Sequence, residues 1–496
     1  MPTNNRHIPV SLLPPRHKSS EISNSEAMKI TGPAAIKIRE ACHNEMVKLG
    51  DTYHTYRPIR ACDIEHDAIR IRSQMLYKPK PTEEDPDMWK ARLAACGNRI
   101  PDELRGDTYA GTADTRNTAL ITAAFGADAV KNGTLQTLRI GNFDLPCAFV
   151  NGNPVTREHT GGKQVVMKIQ DNIPHPLAGQ WVEVLGALYG LPWSNHIFWL
   201  DFDKTMAKAQ FFPIQIPGED CPSTPIDNHI YSRFDPDDPA KKLIVCVTVD
   251  DGLLIGQDAL IFEQELIATL KERYGDNLTY KEVTQDFCGS RLTRSPKGAL
   301  SFDLEKYILK TVQLAGLENE PGATAPSRED LFDAPTDPSP ADQPIYSNLM
   351  GKLTFIAQIR YDVAKEATHL AKVISAPTVS DMEKLVLVIR YLHYTSGDGP
   401  TYYSEEGVVL YAWVDVAFAV HINGRSQTGY YLCIGRDSAP FYARAEEQKS
   451  CIALGPSEGE YVGMSEVSKA IIRFRQVLAA IGFPQQGPTI MLEDSN

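Results

Sequence analysis

The chain has 496 residues, enough for two to four domains with their own hydrophobic cores. Its apolar content of 42% and charged content of 23% are ordinary for a globular protein, and no run approaches the ~20 apolar residues of a membrane helix. The formal net charge of -13 argues against a nucleic-acid partner, because neutralising phosphates needs Lys and Arg, although a local basic channel is compatible with this charge. The first residues lack a signal-peptide core and the nine cysteines are scattered, which predicts an intracellular, non-secreted protein with free thiols.

The first two thirds of the chain alternate between helical and strand patterns, which predicts an α+β or α/β fold and not an all-helical one. Residues 1–35 have the composition of a flexible lead-in, and apolar spacing over 36–50 predicts a helix. The stretches that predict strands are AIRIRSQMLY, TLRIGNFDLPCAFV, KQVVMKI and KLIVCVTV. They are interleaved with two helical stretches, DTRNTALITAAFGADAV and DALIFEQELIATLKERYG.

An acidic, Pro-rich break at 317–344 predicts an extended connection. Two helices follow it, YSNLMGKLTFIAQI and SDMEKLVLVIRYLHY, and we expect Ser380 or Asp381 to cap the second. The last hundred or so residues return to strands in GVVLYAWVDVAFAV and TGYYLCIG, and then to a long helix, SEGEYVGMSEVSKAIIRFRQVLAAIG. The predicted units after the lead-in are 36–275, 276–400 and 401–496.

The stretch VCVTVDDGLLIG places two adjacent acids between apolar runs. The β-branched alternation before the acids and the Asp-Gly turn signal predict a hairpin with Asp250 and Asp251 at its tip. A solvated turn is the ordinary role of such a sequence. A centre with two divalent ions ~3.5–4 Å apart would need further carboxylates, and Asp144, at the end of the strand-like TLRIGNF, is the candidate.

Four motifs in chain order carry a more specific signal: KARLAACGNR, FDLPCAFVNG, ALYGL and VTVDDGLLIG. This series resembles the reverse transcriptase of copia-type LTR retrotransposon polyproteins, which typically read KARLVAKG, DVKTAFLNG, ALYGLKQAPRAW and YVDDLLI. The similarity continues through DFCGSRLTRSPKG, YSNLMGKLTFIAQIRYDVAKEA and RYLHYTSGDGPTY. The resemblance implies a right-hand polymerase, with fingers and palm in 36–275 and a thumb-like connection in 276–400. An incomplete, C-terminally truncated RNase H-like α/β domain would follow in 401–496.

The resemblance implies an RNA-directed DNA polymerase whose two Mg²⁺ (or Mn²⁺) ions are held by Asp144, Asp250 and Asp251. It also implies a nucleotide-binding pocket. There Lys90 and Arg92 would contact the triphosphate, Phe149 would exclude a 2′-hydroxyl, and Tyr189 and Gly190 would line the wall.

In the C-terminal part, YAWVDVAFA, SEGEY and MLEDSN resemble the family's RNase H motifs. The matching acids are Asp415, Glu458 and Asp494, which would hold a second pair of ions. The partners implied are an RNA template, a DNA primer and dNTPs, together with capsid and integrase parts of a polyprotein. No membrane is implied, and the expected location is a cytoplasmic virus-like particle, the nucleus or both.

Departures from the family pattern keep other functions open. Thr248 replaces the usual Tyr, YGLPWSNHIFW gains Pro192 and loses a Lys and a Gln, and Ala417 replaces an acid. Because the chain also ends soon after Asp494, we expect a weak or inactive RNase H. One alternative is a degenerate or co-opted reverse transcriptase fold that binds nucleic acid or protein without catalysis.

A second alternative starts from IFWLDFDKTMA, which resembles the opening of haloacid dehalogenase (HAD-type) phosphatases. Asp201 would then be the nucleophile and Asp203 the general acid and base. The same stretch also fits an amphipathic helix, because Phe198, Phe202 and Met206 follow helical spacing.

Overall fold

The computed structural model of the protein describes residues 21–82, 85–216, 225–276, 278–282 and 287–493. Its helices are α1 (Asn24–Ala27), α2 (Pro33–Val47), α3 (Thr115–Asn132), α4 (Ala148–Asn151), α5 (Ser194–Lys208), α6 (Leu260–Tyr274), α7 (Glu305–Ala315), α8 (Gln343–Ile356), α9 (Ala364–Ala371), α10 (Val379–Tyr394) and α11 (Pro456–Ala480). Its first strands are β1 (Ile22–Ser23), β2 (Tyr56–Pro58), β3 (Ile69–Pro79), β4 (Trp89–Ala95), β5 (Leu138–Asp144), β6 (Val165–Lys168), β7 (Trp181–Val184), β8 (Phe212–Ile214), β9 (Asp227–Phe234) and β10 (Lys242–Thr248). The later strands are β11 (Asp251–Gln257), β12 (Thr279–Glu282), β13 (Arg291–Arg294), β14 (Leu300–Asp303), β15 (Thr401–Tyr402), β16 (Leu410–Ala417), β17 (Gln427–Ile434), β18 (Pro440–Glu447) and β19 (Ile490–Leu492).

The first sheet has the order β1-β3-β6-β7-β2, with β4 paired to β3. Strand β3 alternates buried and exposed residues, as its sequence predicts, and helix α2 packs on β4 over an apolar core. Residues 21–35, which we expected to be flexible, instead contain β1 and α1. A capping box formed by Ser23 and Glu26 starts α1, and the Tyr77 hydroxyl donates to Asn24 Oδ1 at 3.1 Å.

The second sheet has the order β12-β5-β11-β10-β9-β8 and is covered on both faces. Leu243, Val245 and Val247 of β10 face the core shared with α5 and α6. Ile244 and Cys246 face the core shared with α3. Burial on both faces explains why this strand reads as a nearly continuous apolar run. Because β12 pairs with β5, the sheet extends past residue 275.

The region after this sheet has its own core, built from α7, α8, α9 and α10. The predicted helices there are present, but Thr378 rather than Ser380 or Asp381 is the N-cap of α10. Asp381 completes the capping box from inside the helix. Of the predicted connection at 317–344, residues 317–342 contain one short 3₁₀ turn, Glu329–Phe332, whereas α8 already begins at Gln343.

The C-terminal sheet has the order β18-β17-β16-β19, with β19 parallel to β16 and the other neighbours antiparallel. Helix α11 packs on one face of it. Strand β18, which sequence analysis missed, completes one edge. This sheet shares a continuous core with α3, where Phe125 and Phe483 meet edge to face at 5.2 Å. Among the described helices, none is both long and apolar enough to cross a membrane.

Candidate active site at the hairpin between β10 and β11

The two adjacent acids lie at the tip of the predicted hairpin. Strands β10 and β11 pair in register from Lys242↔Gln257 to Thr248↔Asp251, so Val249 and Asp250 form the turn. The sequence predicts Asp250 and Asp251 at the tip, whereas Asp251 instead begins β11. Val249 has φ 58°, a conformation that costs a β-branched residue roughly 1–3 kcal/mol. The hairpin tip therefore stores strain beside its carboxylates.

Asp144 joins the pair through strand register. Strand β5 pairs with β11 so that Asp144 lies directly opposite Asp251, and the Leu145 N–H donates to the Asp250 carbonyl at 2.9 Å. The close approach of the two strands requires a glycine at 252. A Cβ there would lie 2.2 Å from the ring of Phe143. The backbone register thus places the three acids that the sequence singled out at one edge of the sheet.

Burial and mutual repulsion act on these carboxyl groups. Burial, then the negative charges of Asp250 and Asp144, raise the pKa of Asp251 to about 6, against an opposing hydrogen bond from the Cys288 backbone. Burial also raises the pKa of Asp250, and the charge of Asp144 adds to the effect. The site concentrates negative charge that a cation would stabilise.

Two cationic side chains of the first sheet face these acids. Lys90 and Arg92 lie on the same side of β4, and both act to lower the pKa of Asp250. The guanidinium of Arg92 stacks over the ring of Tyr189 at 4.7 Å. Burial, then the charges of Lys80 and Lys48, lower the pKa of Lys90. The cations of β4 thus face the carboxylates of the second sheet across a space, the cleft, that is narrow enough for them to lower the pKa of Asp250.

The predicted pocket residues Tyr189, Gly190 and Phe149 contact β4 or one another. The Ala95 N–H donates to the Tyr189 carbonyl at 2.7 Å, which holds this loop against β4. Gly190 has φ +86°, and a Cβ there would lie 2.2 Å from the Ala95 carbonyl oxygen. Phe149, half-buried on α4, meets the Tyr189 ring edge to face at 5.6 Å. All of these side chains are brought together.

A third cation, Lys48, lies at this cleft without any motif that marks it in the sequence. It follows α2, and its Nζ lies 3.8 Å from Glu45 Oε2. Glu45 is only 6% exposed and accepts from the Leu93 N–H of β4 at 3.2 Å. Burial raises the pKa of Glu45, and Lys48, Lys90 and Arg92 oppose that rise. The available signal was a carboxylate on the apolar face of α2, beside Met46.

The carboxylates of Asp144, Asp250 and Asp251 are suitable ligands for a hard divalent ion, because Mg²⁺ prefers carboxylate oxygen. The backbone register also places the three acids at one edge of one sheet. Their side chains as they lie do not converge on a common point. Within the described part of the chain, no three His, Cys, Asp or Glu side chains are gathered closely enough to hold a metal ion.

The acids predicted for the C-terminal domain are arranged differently. On α11, a Cβ added to Gly463 would lie 2.8 Å from Val416 and 3.3 Å from Val414. Asp415 lies between these valines and therefore points to the opposite face of β16. Glu458, exposed in the first turn of α11, accepts from the Leu454 N–H at 2.6 Å. The structure does not bring these two acids onto one face, and Asp494 lies outside the described residues.

The structural premise of the phosphatase alternative is wrong. A haloacid dehalogenase nucleophile follows a buried strand, whereas residues 194–208 form helix α5. Asp201 is buried and bound to the Arg273 guanidinium at 2.9 Å and to the Tyr274 hydroxyl at 2.9 Å. The tyrosine of β9, Tyr231, donates to Asp203 at 3.2 Å. Phe198, Phe202 and Met206 are buried, as the helical interpretation predicts.

Comparison with known proteins agrees with the retrotransposon resemblance at a coarse level. No protein-family model matches the chain. The Retrovirus-related Pol polyprotein from transposon TNT 1-94 of Nicotiana tabacum is 23% identical over 370 residues, which cover 70% of this chain and 25% of that polyprotein. Those from the Arabidopsis thaliana transposons RE2 and RE1 are 24% and 23% identical over 259 and 260 residues. These matches cover 51% and 50% of this chain and 17% of each polyprotein.

The chain thus spans a quarter or less of the length of these curated relatives. The matches support a retrotransposon-related function and, in general terms, part of an enzymatic Pol polyprotein.

Proposed function

We propose that the chain is an RNA-directed DNA polymerase of a copia-type retrotransposon, with a right-hand arrangement of fingers, palm and a thumb-like connection. The observation that carries the proposal is the register that sets Asp144 opposite Asp251, with Asp250 in the adjoining turn. The cations of β4 face this group. Similarity to Pol polyproteins of plant transposons supports the same function.

In the proposed reaction, Lys90 and Arg92 bind the triphosphate of an incoming dNTP, and Tyr189 holds the Arg92 guanidinium in place. Phe149 lies beneath the sugar and excludes a 2′-hydroxyl. Asp144, Asp250 and Asp251 would hold divalent ions, Mg²⁺ or Mn²⁺. When bound, such ions activate the primer 3′-hydroxyl and offset charge on the leaving oxygen. An RNA template and a DNA primer would occupy the cleft.

The C-terminal domain is proposed to be RNase H-like in fold and weak or inactive in hydrolysis. Its sheet order and the helix between β18 and β19 support the fold. The separation of Asp415 and α11 to opposite faces of β16 argues against an efficient two-metal site, because both ions need shared carboxylates.

A second candidate is the same fold binding nucleic acid without polymerising. The observation that favours it is the segment after Tyr189, where Leu191 and Trp193 are buried and Pro192 packs near Gly97. This segment offers the pocket no cation in place of the Lys that the family usually carries.

Primer extension on an RNA template, with Mg²⁺ and with Mn²⁺, tests the proposal. We expect Asp250→Asn to reduce extension by about 1,000-fold, the scale of a lost electrostatic stabiliser of the transition state. Asp258→Asn, an exposed acid beyond the other end of β11, is the matched control and should stay within about twofold of wild type.

Extension by Asp250→Asn at the wild-type rate would refute the metal assignment. A wild-type chain that binds a primer–template duplex but extends it with neither metal would establish the non-catalytic candidate instead.

A further inference from the structure

A groove of about 580 Å³ lies on the face of the C-terminal sheet opposite α11. One wall is formed by strands β16, β17 and β18, and the other by the segment from Tyr361 to Glu366. Its volume is in the range of ~300–1,000 Å³ that accommodates small ligands and single side chains. The polymerase proposal assigns it no role.

Stacked aromatic rings form the sheet wall of this groove. Trp413 and Tyr431 are directly opposite each other on β16 and β17, with ring centroids 4.9 Å apart and planes 11° apart. Tyr411 continues the row at 6.0 Å from Trp413. Tyr431 is 37% exposed, so the row reaches the protein surface. Such a wall attracts a planar cation through the negative faces of its rings.

Two carboxylates without full partners line the same groove. Glu366 is 1% exposed, and its Oε1 accepts from Ser327 Oγ at 2.6 Å and lies 3.4 Å from Lys365 Nζ. Its Oε2 has no hydrogen-bond partner among the described residues. A buried carboxylate oxygen left without a donor is costly, so a donor entering the groove that Glu366 lines would stabilise it. Asp415, exposed on β16, likewise forms no hydrogen bond or ion pair with the residues the structure describes.

The remaining charged residues leave the groove acidic. Arg444 is already paired with Glu446 at 2.7 Å, and Lys365 is 46% exposed beside Glu366. Asp362 is bound by the Arg360 guanidinium and the Tyr391 hydroxyl, each at 2.7 Å. The charged lining residues that the structure describes are four carboxylates, Asp362, Glu366, Asp415 and Glu493, and two cations, Lys365 and Arg444, so the net charge of the groove is negative. A phosphate-bearing ligand would meet like charge here, whereas a cation would meet complementary charge.

We propose that this groove binds the guanidinium of an arginine side chain carried by a partner peptide. Guanidinium is planar, so it stacks on the indole of Trp413 while its N–H groups donate in the plane to Glu366 and Asp415. A lysine ammonium offers no such plane. Because Asp415 and Tyr431 are exposed at the mouth, the side chain enters while the peptide backbone stays outside.

Binding of acetyl-Gly-Arg-Gly-amide to the full chain tests this proposal, with the citrulline peptide as the uncharged isostere. Saturation-transfer NMR and calorimetry should show the citrulline peptide binding about tenfold more weakly, because charge-assisted hydrogen bonds are lost. Glu366→Gln and Trp413→Leu should each weaken arginine binding by about fivefold or more. Tyr461→Leu removes an aromatic that is 71% exposed on α11 and should leave binding unchanged.

Equal binding of the two peptides, or unchanged binding by Glu366→Gln, would overturn the proposal, as would the absence of any arginine-peptide binding. Glu366→Gln decides the matter even if Trp413→Leu fails to fold, since glutamine can still accept from Ser327. The proposal would also be overturned, in favour of nucleic acid, if an oligothymidylate bound the wild-type chain but not Trp413→Leu and the arginine peptide did not bind.

Discussion

The hairpin of the second sheet and strand β16 of the C-terminal sheet both carry acids between apolar residues. The two regions differ in whether the acids that the sequence predicts for one site lie at one edge of the sheet or on opposite faces. In the hairpin, register sets Asp251 opposite Asp144, and the turn adds Asp250 at the same edge. In the C-terminal sheet, alternation along β16 turns Asp415 away from the helix that carries Glu458. Acids come together when neighbouring strands end at the same edge of a sheet. They are kept apart when a shift of one residue along a strand turns a side chain to the opposite face.

The strongest test of this difference replaces one acid from each region. We expect Asp144→Asn to reduce primer extension by about 1,000-fold, because it removes a carboxylate from the proposed catalytic group. Asp415→Asn should leave extension within about twofold of wild type, since it lies in another sheet. Both rates are measured under single-turnover conditions, so that chemistry rather than product release is compared.

The wild-type chain and the same two variants can also be assayed for cleavage of the RNA strand in an RNA–DNA hybrid. The wild-type chain should cleave weakly, and Asp415→Asn should change that rate little. Strong cleavage that depends on Asp415 would mean that the two faces of β16 are not separated as described.

Local patterns predicted most of the elements near the site. The apolar run of β10, the alternation of β3 and the apolar spacing of α3 predicted these elements correctly. Their apolar residues follow the faces that the fold buries. The hairpin was expected, but its turn shifted by one residue to Val249–Asp250. A positive φ at a β-branched residue is imposed by the surrounding sheet and leaves no local signal.

Features set by distant partners were not predictable. Pairing of β1 with β3 orders a segment whose composition indicates flexibility. Lys48 reaches the cleft through Glu45 and the Leu93 N–H, a contact between α2 and β4 that no motif encodes. The faces of Asp415 and Glu458 depend on how α11 packs, whereas motif similarity indicates only their order along the chain.

The hairpin cleft is also expected to discriminate between sugars. Phe149 contacts the Tyr189 ring edge to face at 5.6 Å and remains half-buried, so its truncation should open the pocket rather than unfold the chain. Phe149→Ala should raise incorporation of ribonucleotides relative to deoxyribonucleotides by about tenfold, as expected when a steric barrier of ~1.4 kcal/mol is removed. An unchanged ratio in a still-active variant would assign Phe149 to the core instead.

A smaller effect should come from Lys48. As a third cation of the cleft, it is expected to contribute one charge-assisted contact to the triphosphate. Lys48→Gln should raise the KM for dNTP about fivefold and change kcat little. Lys37→Gln, which removes a lysine of α2 already paired with Asp85 at 2.9 Å, is the control. Equal KM values for these two variants would remove Lys48 from the site.

The smallest expected effect concerns stability. Because the pKa of Asp251 is raised to about 6, its ionisation destabilises the folded state as pH rises from about 4 to above 6. Without divalent ions, Asp251→Asn should therefore stabilise the chain by about 1 kcal/mol at pH 7, after allowance for solvent screening. The gain should disappear below about pH 3, where Asp251 is protonated in both the folded and the unfolded state. Denaturant unfolding at the two pH values measures it, and a pH-independent gain would contradict the electrostatic cause.

Binding of Mn²⁺ tests most directly whether the hairpin rather than the C-terminal sheet holds the divalent-ion site. Electron paramagnetic resonance of free Mn²⁺ gives the affinity of wild type, Asp250→Asn and Asp415→Asn without requiring activity. We predict that Asp250→Asn weakens binding by at least about tenfold, because a ligand is lost, and that Asp415→Asn binds as wild type does. Unchanged binding by Asp250→Asn, or loss of binding in Asp415→Asn alone, would contradict the account.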